Sequence, residues 1–202
     1  MLPAIIPIFP LPNAVLFPGV FLPLRIFEPR YRTMVADALE GDRLIGMMLL
    51  KPGWESDYEG RPPVYPVGCA GLVSHVDRLA DGRYNIVLHG LEKFRLLKEE
   101  SDGSYRRGEV ITLAETLDAQ AKSQLREERN KLEALLLPTA LGSDASFPSS
   151  LSDEDLVNAL SQYLNLSPIE RQDPLDRARS LVELIEMQAL TMKMPHKSQG
   201  LH

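Results

Sequence analysis

Residues 2–24 read LPAIIPIFPLPNAVLFPGVFLPL, with Asn13 as the single polar side chain. The run is long enough for a membrane-spanning helix, which needs about 20 apolar residues. It also holds six of the sixteen prolines in the chain. An interior proline removes a helical hydrogen bond and clashes with the preceding turn, so a spanning helix is excluded. A secretory leader carries its positive charge ahead of its apolar core. Here the first basic residue, Arg25, follows the run. The segment reads as mature, buried and non-helical, in a soluble cytoplasmic protein.

Outward from this segment, short apolar stretches bounded by Pro and Gly continue to about residue 117. They fall at 4–9, 14–17, 20–27, 45–50, 67–79, 84–91, 94–98 and 109–114, and each reads as a strand. Prolines within 1–30 suit edges, bulges and strand starts. Asp81-Gly82 and Asp102-Gly103 sit between such runs, and Asp-Gly accepts the positive φ of a tight hairpin turn. A two-residue turn at Asp81-Gly82 sets His75 against Leu88 and His89 against Ser74, on opposite faces of the sheet. One helix interrupts the region. Pro29 suits its first turn, Tyr31, Met34, Val35, Ala38 and Leu39 recur at helical spacing, and Gly41 ends it.

From residue 118 the pattern is helical. Asp118 caps a helix with Ala121, Leu125, Leu132, Leu135 and Leu136 on its apolar face, stopped by Pro138. A small-residue loop spans 138–150. Ser152 caps a helix bearing Leu156, Val157, Leu160 and Leu164. Ser167-Pro168-Ile169-Glu170 is a capping box, and Asp173-Pro174 opens a last helix with Leu175, Ala178, Val182, Ile185 and Ala189. The predicted organisation is a β-rich part over 1–117, a helical part over 118–194 and a flexible tail over 195–202. Strands followed by helices make an α+β architecture.

Composition narrows the function classes. A chain of 202 residues with 44% hydrophobic and 25% charged residues builds its own core without disulfides or metal. The net charge is −6, and neither half carries the clustered Lys and Arg that phosphate contacts need. Cys69 is the one cysteine, which excludes an internal disulfide and fits a reducing compartment. Set in VGCAG within an apolar strand, it reads as a small buried hydrophobe rather than a nucleophile. No Gly-Lys dipeptide occurs, so there is no phosphate-wrapping P-loop. Neither a dinucleotide fingerprint nor a nucleophile elbow is present. The interior histidines, His75 and His89, lack the ligand spacing of a metal site. The carboxylates at 153–155 complement a helix dipole better than they serve acid–base chemistry. No catalytic residue, metal or cofactor is predicted.

The loop KPGWESDYEGRPPVYP at 51–66 differs from its surroundings. It carries the only tryptophan, Trp54, with Tyr58 and Tyr65, in a Pro- and Gly-rich stretch too polar for a core strand. Such aromatics either form a recognition surface or fold back over the end of the β domain.

The run PIFPLPNAVLFPGVFLPLRIFEPRYRTMV at 7–35 resembles the opening of the Lon protease N-terminal domain. The pattern is carried by Pro10-Leu11, Val15, Phe17-Pro18-Gly19 and Pro23-Leu24. VGCAGLVSHVDRLADGRYNIVLHGLEKFRLL at 67–97 is similar to the hairpin of that family, and LNLSPIERQDPLDRARSLVELIE at 164–186 to its helical segment. Glu28-Pro29-Arg30-Tyr31 resembles stand-alone members more than the protease itself. The resemblance implies a PUA-like β pseudo-barrel followed by a helical bundle. It implies a non-enzymatic module that binds unfolded or exposed polypeptide segments and works beside a separate ATPase or protease. Trp54, Tyr58 and Tyr65 are the expected contacts, with Arg25 and Arg30 as polar anchors. PUA-like barrels elsewhere bind RNA, a second reading that the acidic charge disfavours. A third reading, an adaptor for a separate protease or ATPase, follows from the same kinship.

Overall fold

A computed structural model describes residues 2–100, 103–114, 117–140, 151–163 and 173–193. Contacts divide the chain into two compact units, 1–116 and 117–202. Among the described residues, no helix is long and apolar enough to cross a membrane.

The first unit holds six strands and one α-helix: β1 (Ile5–Leu11), β2 (Phe21–Ile26), α1 (Pro29–Glu40), β3 (Leu44–Leu49), β4 (Val67–Arg78), β5 (Tyr84–Glu99) and β6 (Arg106–Leu113). The strand order is β2-β5-β4-β3-β1-β6, with a further β5–β6 pairing. All pairs are antiparallel except β1–β3, where Ile8 faces Gly46. The opening apolar run is thus divided between β1 and β2, as its prolines demand. Alternation is clear in β2: Leu22, Leu24 and Ile26 point inward, whereas Phe21, Pro23 and Arg25 are exposed. Pro23 lacks an N–H, and β2 pairs only with β5, so the proline occupies an edge strand.

The stretch at 14–17 is not a strand. Leu16 and Phe17 are nevertheless buried. Phe17-Pro18-Gly19-Val20 closes a turn, with Val20 N donating to Phe17 O at 3.2 Å and Gly19 at φ 76°. Proline second and a positive-φ glycine third are what a type II turn requires. The stretches 84–91 and 94–98 form one strand, β5, with a bulge opposite Ala70/Gly71. A Cβ at Gly90 would sit 2.0 Å from the Phe17 carbonyl oxygen, so only glycine permits that close approach.

The Asp81-Gly82 turn is one residue longer than expected. Leu79 N donates to Arg83 O and Gly82 N to Leu79 O, each at 2.9 Å, with Gly82 at φ 81°. This is a three-residue loop with glycine in the left-handed position. The register moves accordingly: His75 faces Val87, His89 faces Leu72, and a bulge falls between Val73 and His75. Val87 and His89 are two apart on one strand, so both histidines lie on the same face, not opposite faces. His89 stacks on Phe21 at 4.5 Å.

Helix α1 follows its sequence pattern, burying Tyr31, Met34, Val35 and Ala38 and ending at Gly41. These join Phe9, Ile45, Met47, Val73, Ile86 and Leu88 in the main core. A second cluster centres on Phe94, with Ile6, Ile8, Met48 and Val110.

The second unit contains α2 (Ala119–Ala140), α3 (Asp153–Tyr163) and α4 (Pro174–Lys193). Asp118 Oδ1 accepts from Ala121 N at 2.7 Å, Ser152 Oγ from Asp155 N at 3.0 Å and Asp173 Oδ1 from Leu175 N at 2.8 Å. Each bond satisfies an orphan donor at a helix start. The acidic residues 153–155 lie in the first turn of α3, and Asp153 pairs with Arg129 at 3.1 Å. Helix α2 runs two residues beyond Pro138. Near a helix end the proline costs only one hydrogen bond before the chain leaves the helix anyway. Leu125, Leu132, Val157, Ala178 and Leu181 build a shared core. The expected capping box at 167–170, positions Leu164 and Asp102, most of the loop at 138–150 and the tail at 195–202 fall outside the described residues, as does the side chain of Ala189.

Candidate functional cleft

Several segments meet at one end of the sheet unit and enclose a cleft of about 220 Å³. Pro10 comes from β1, Arg30 and Tyr31 from the first turn of α1, and Leu50 from the end of β3. Residues 58–62 come from the long loop, and Gly103 to Arg106 from the β5–β6 connection.

The long loop does not float free. Leu50 bridges Val64, Lys51 N donates to Pro63 O and Tyr65 N to Leu49 O, both at 2.9 Å. These bonds bring its two ends together on the end of β3. At its outer end Gly53 takes φ 89° and starts a short 3-10 turn, Trp54–Asp57. That turn sets Trp54 edge-on to Tyr58, with ring centroids 5.4 Å apart.

Glu28 and Arg30 tie this loop to α1. Glu28 Oε1 accepts from the Tyr58 hydroxyl at 2.7 Å, and Glu28 Oε2 from Arg30 Nε at 3.0 Å. Arg30 Nη1 and Nη2 each donate to the Tyr58 carbonyl at 3.3 Å. The guanidinium lies 4.7 Å from the Tyr31 ring centre and 5.0 Å from that of Tyr58, within cation–π range of both. Glu28 occupies the N-cap position of α1 but makes no side-chain cap bond, because its carboxylate is turned to Arg30 and Tyr58. Burial opposes the Arg30 charge, but Tyr31, Glu28 and Tyr58 outweigh it and raise its pKa. Burial, then the bond to Glu28, raises the Tyr58 phenol.

Across the cleft, Arg106 is 7% exposed. Its Nε and Nη2 grip the two Glu99 oxygens at 2.8 and 2.5 Å, and Nη1 donates to Pro62 O at 2.8 Å. A buried guanidinium needs such satisfaction to be tolerated, and here it also clamps the loop to β5 and β6. Arg61 Nη1 donates to the Glu100 carbonyl. The Tyr105 hydroxyl donates to Asp37 Oδ2 at 2.9 Å, and burial followed by that bond pushes the phenol up to about 12.

Of the residues expected to make contacts, the structure brings Trp54, Tyr58 and Arg30 into one cluster. Tyr65 stands apart, with Lys51 Nζ 5.9 Å from its ring centre. Arg25 is exposed on β2 opposite Asn85. Sequence reasoning did not assign Tyr31, Arg61, Tyr105 or Arg106 to a site. Tyr31 carried a signal within Glu28-Pro29-Arg30-Tyr31, but its helical spacing marked it as core. Nothing local to Tyr105 and Arg106 reveals that the β5–β6 connection closes against the loop.

The family described as "ATP-dependent protease La (LON) substrate-binding domain" matches residues 5–186. Among curated relatives, the Lon protease 2 of Syntrophobacter fumaroxidans is 29% identical over 188 residues, which are 87% of this chain and 22% of that protein. The Lon protease of Anaeromyxobacter dehalogenans is 24% identical over 93% of this chain and 22% of its own length. The chain therefore spans under a quarter of these relatives. Among solved structures, the N-terminal domain of a Mycobacterium avium complex Lon protease superposes with a TM-score of 0.69 at 18% identity, covering 90% of this chain and 98% of that one. A Lon N-terminal domain protein from Xanthomonas campestris gives 0.57 at 22% identity, covering 95% and 99%.

Proposed function

The chain belongs to the family of ATP-dependent protease La (LON) substrate-binding domains, and from that premise we propose that it is a non-enzymatic module for recognising polypeptides. The observation that carries the reading is the cluster beside the cleft, where half-buried Trp54 packs edge-on to Tyr58 and Tyr58 lies against Arg30, on a loop fixed at both ends. Aromatic rings supply large apolar contact area at low entropic cost, and Arg adds adaptable donors. Tyr65 and Arg25 are outlying contacts in this reading. In the same reading, the run of pairings β5–β4–β3–β1–β6 and back to β5 supports a PUA-like pseudo-barrel, and α2, α3 and α4 are taken as its following helical bundle. An ATPase or protease partner in the cytoplasm follows from the kinship and is analogy.

Labelled unfolded casein tests the proposal. The purified chain binds it, and Trp54→Ala weakens binding at least about fivefold, the scale of losing an interface tryptophan. Casein incubated with the protein and ATP stays intact. Undiminished binding by the variant would remove the loop from the site, and ATP-stimulated cleavage would refute the non-enzymatic reading.

A further inference from the structure

Tyr31 is 4% exposed, yet it lines the cleft. Its ring is accounted for: Phe9 packs at 4.4 Å and Arg30 covers it at 4.7 Å. Its hydroxyl is not. Among the described residues no group bonds to it, and it is not one of the unpartnered atoms sealed from solvent, so it opens onto the cavity. Burial first, offset by Arg30, pushes this phenol up to about 12, so it is a neutral donor near neutral pH.

The neighbouring groups point the same way. A guanidinium carries five N–H donors. Arg106 commits three to Glu99 and Pro62 O, Arg61 commits one to the Glu100 carbonyl, and both residues line the same cleft. The walls between them are apolar: Pro10, Leu50 and Pro62 are all buried. The ion pairs Arg30–Glu28 and Arg106–Glu99 balance internally, and the lining adds one further residue of each sign, Arg61 and Glu59, so the cleft is donor-rich without being strongly cationic. Its 220 Å³ equals about seven water volumes, room for one amino-acid residue.

A ligand with an apolar body and an acceptor-only tip on the same small unit fits these features. The last residue of a polypeptide has that shape, because an apolar side chain and the α-carboxylate leave one Cα. An internal Asp or Glu offers the carboxylate without the apolar body. We propose that this cleft captures the C-terminal residue of a bound polypeptide, the carboxylate accepting from the Tyr31 hydroxyl and Arg61 and the side chain lying on Pro10, Leu50 and Pro62. This rests on the polypeptide-recognition reading and names the end of the chain that is recognised.

The test uses the full chain and a labelled Gly/Ser-rich peptide ending in Leu, as free acid and as C-terminal amide. A third peptide is amidated and carries an internal Asp. The free acid binds at least about tenfold tighter than the amide, the scale of a hydrogen bond to a charged group. Tyr31→Phe and Arg61→Ala each reduce that preference. Tyr31→Phe also melts no lower than the parent, because it deletes only a hydroxyl without a protein partner. Equal binding of acid and amide overturns the proposal while leaving polypeptide recognition standing. So does rescue of the amide by internal Asp, or an acid preference that survives both substitutions. Casein binding with no peptide binding overturns it as well. Failure to bind casein too removes the underlying reading.

Discussion

At the scale of single residues, the tyrosines of the cleft set a pH limit on the fold. Tyr31 and Tyr105 both titrate at about 12 in the native protein, against about 10 in an unfolded chain. The native state thus holds protons that the unfolded state releases. Their stabilisation is fully present below about pH 10 and is lost as pH rises toward about 12. Tyr31 carries more of it, because the Tyr105 bond to Asp37 is solvent-exposed and therefore screened. Urea midpoints should be flat from neutral pH to about 9 and fall above about 10, and Tyr31→Phe should shallow that fall. A midpoint unchanged through the alkaline window would contradict the burial assigned to Tyr31. The same residue shows how far the sequence was legible. The spacing of Tyr31, Met34, Val35 and Ala38 correctly placed the ring in the core. Periodicity says nothing of a hydroxyl at the far end of that ring, so the cleft stayed hidden.

At the scale of elements, helix starts were the most readable features, because a cap is a local bond between residues two or three apart. Asp118, Ser152 and Asp173 each make the bond expected of them. Asp173→Ala should cost about 1 kcal/mol of stability in the second unit, read as a lower denaturant midpoint of the far-UV helical signal. An unchanged midpoint would show that the Asp173 cap bonds contribute nothing. Hairpin register was less readable. Asp81-Gly82 marks where a positive φ is needed, but not whether two or three residues close the loop. The extra residue shifted every pair on β4 and β5, and with the bulge after Val73 it put both histidines on one face. The single strand β5 was split in prediction because Glu92 and Lys93 interrupt its apolar pattern, whereas Lys93 is buried in the sheet.

At the scale of the whole molecule, charge is the deciding quantity. The net charge of −6 opposes a polyanion, and Glu28 and Glu99 balance the charges of Arg30 and Arg106 in the cleft. A labelled single-stranded RNA should therefore show no salt-dependent binding even at low ionic strength. Tight binding that weakens steeply with added salt would reinstate the RNA reading. The change from strands to helices was legible because the hydrophobic period itself changes near residue 117. The pairing order of the strands was not, since it depends on partners a hundred positions apart.

That distance has a consequence during synthesis. Ile5 pairs with Glu109 and Ile8 with Arg106, so one edge of the first strand waits for almost the whole sheet unit to be translated. At roughly 5–20 residues per second, about 100 residues take on the order of 5–20 seconds. Throughout that interval the proline-punctuated segment at the amino terminus has emerged from the ribosome without its final neighbour. Prolines at positions 3, 7, 10 and 12 reduce the backbone donors that the waiting segment as a whole can offer, which makes it a poor template for the nascent chains of neighbouring ribosomes.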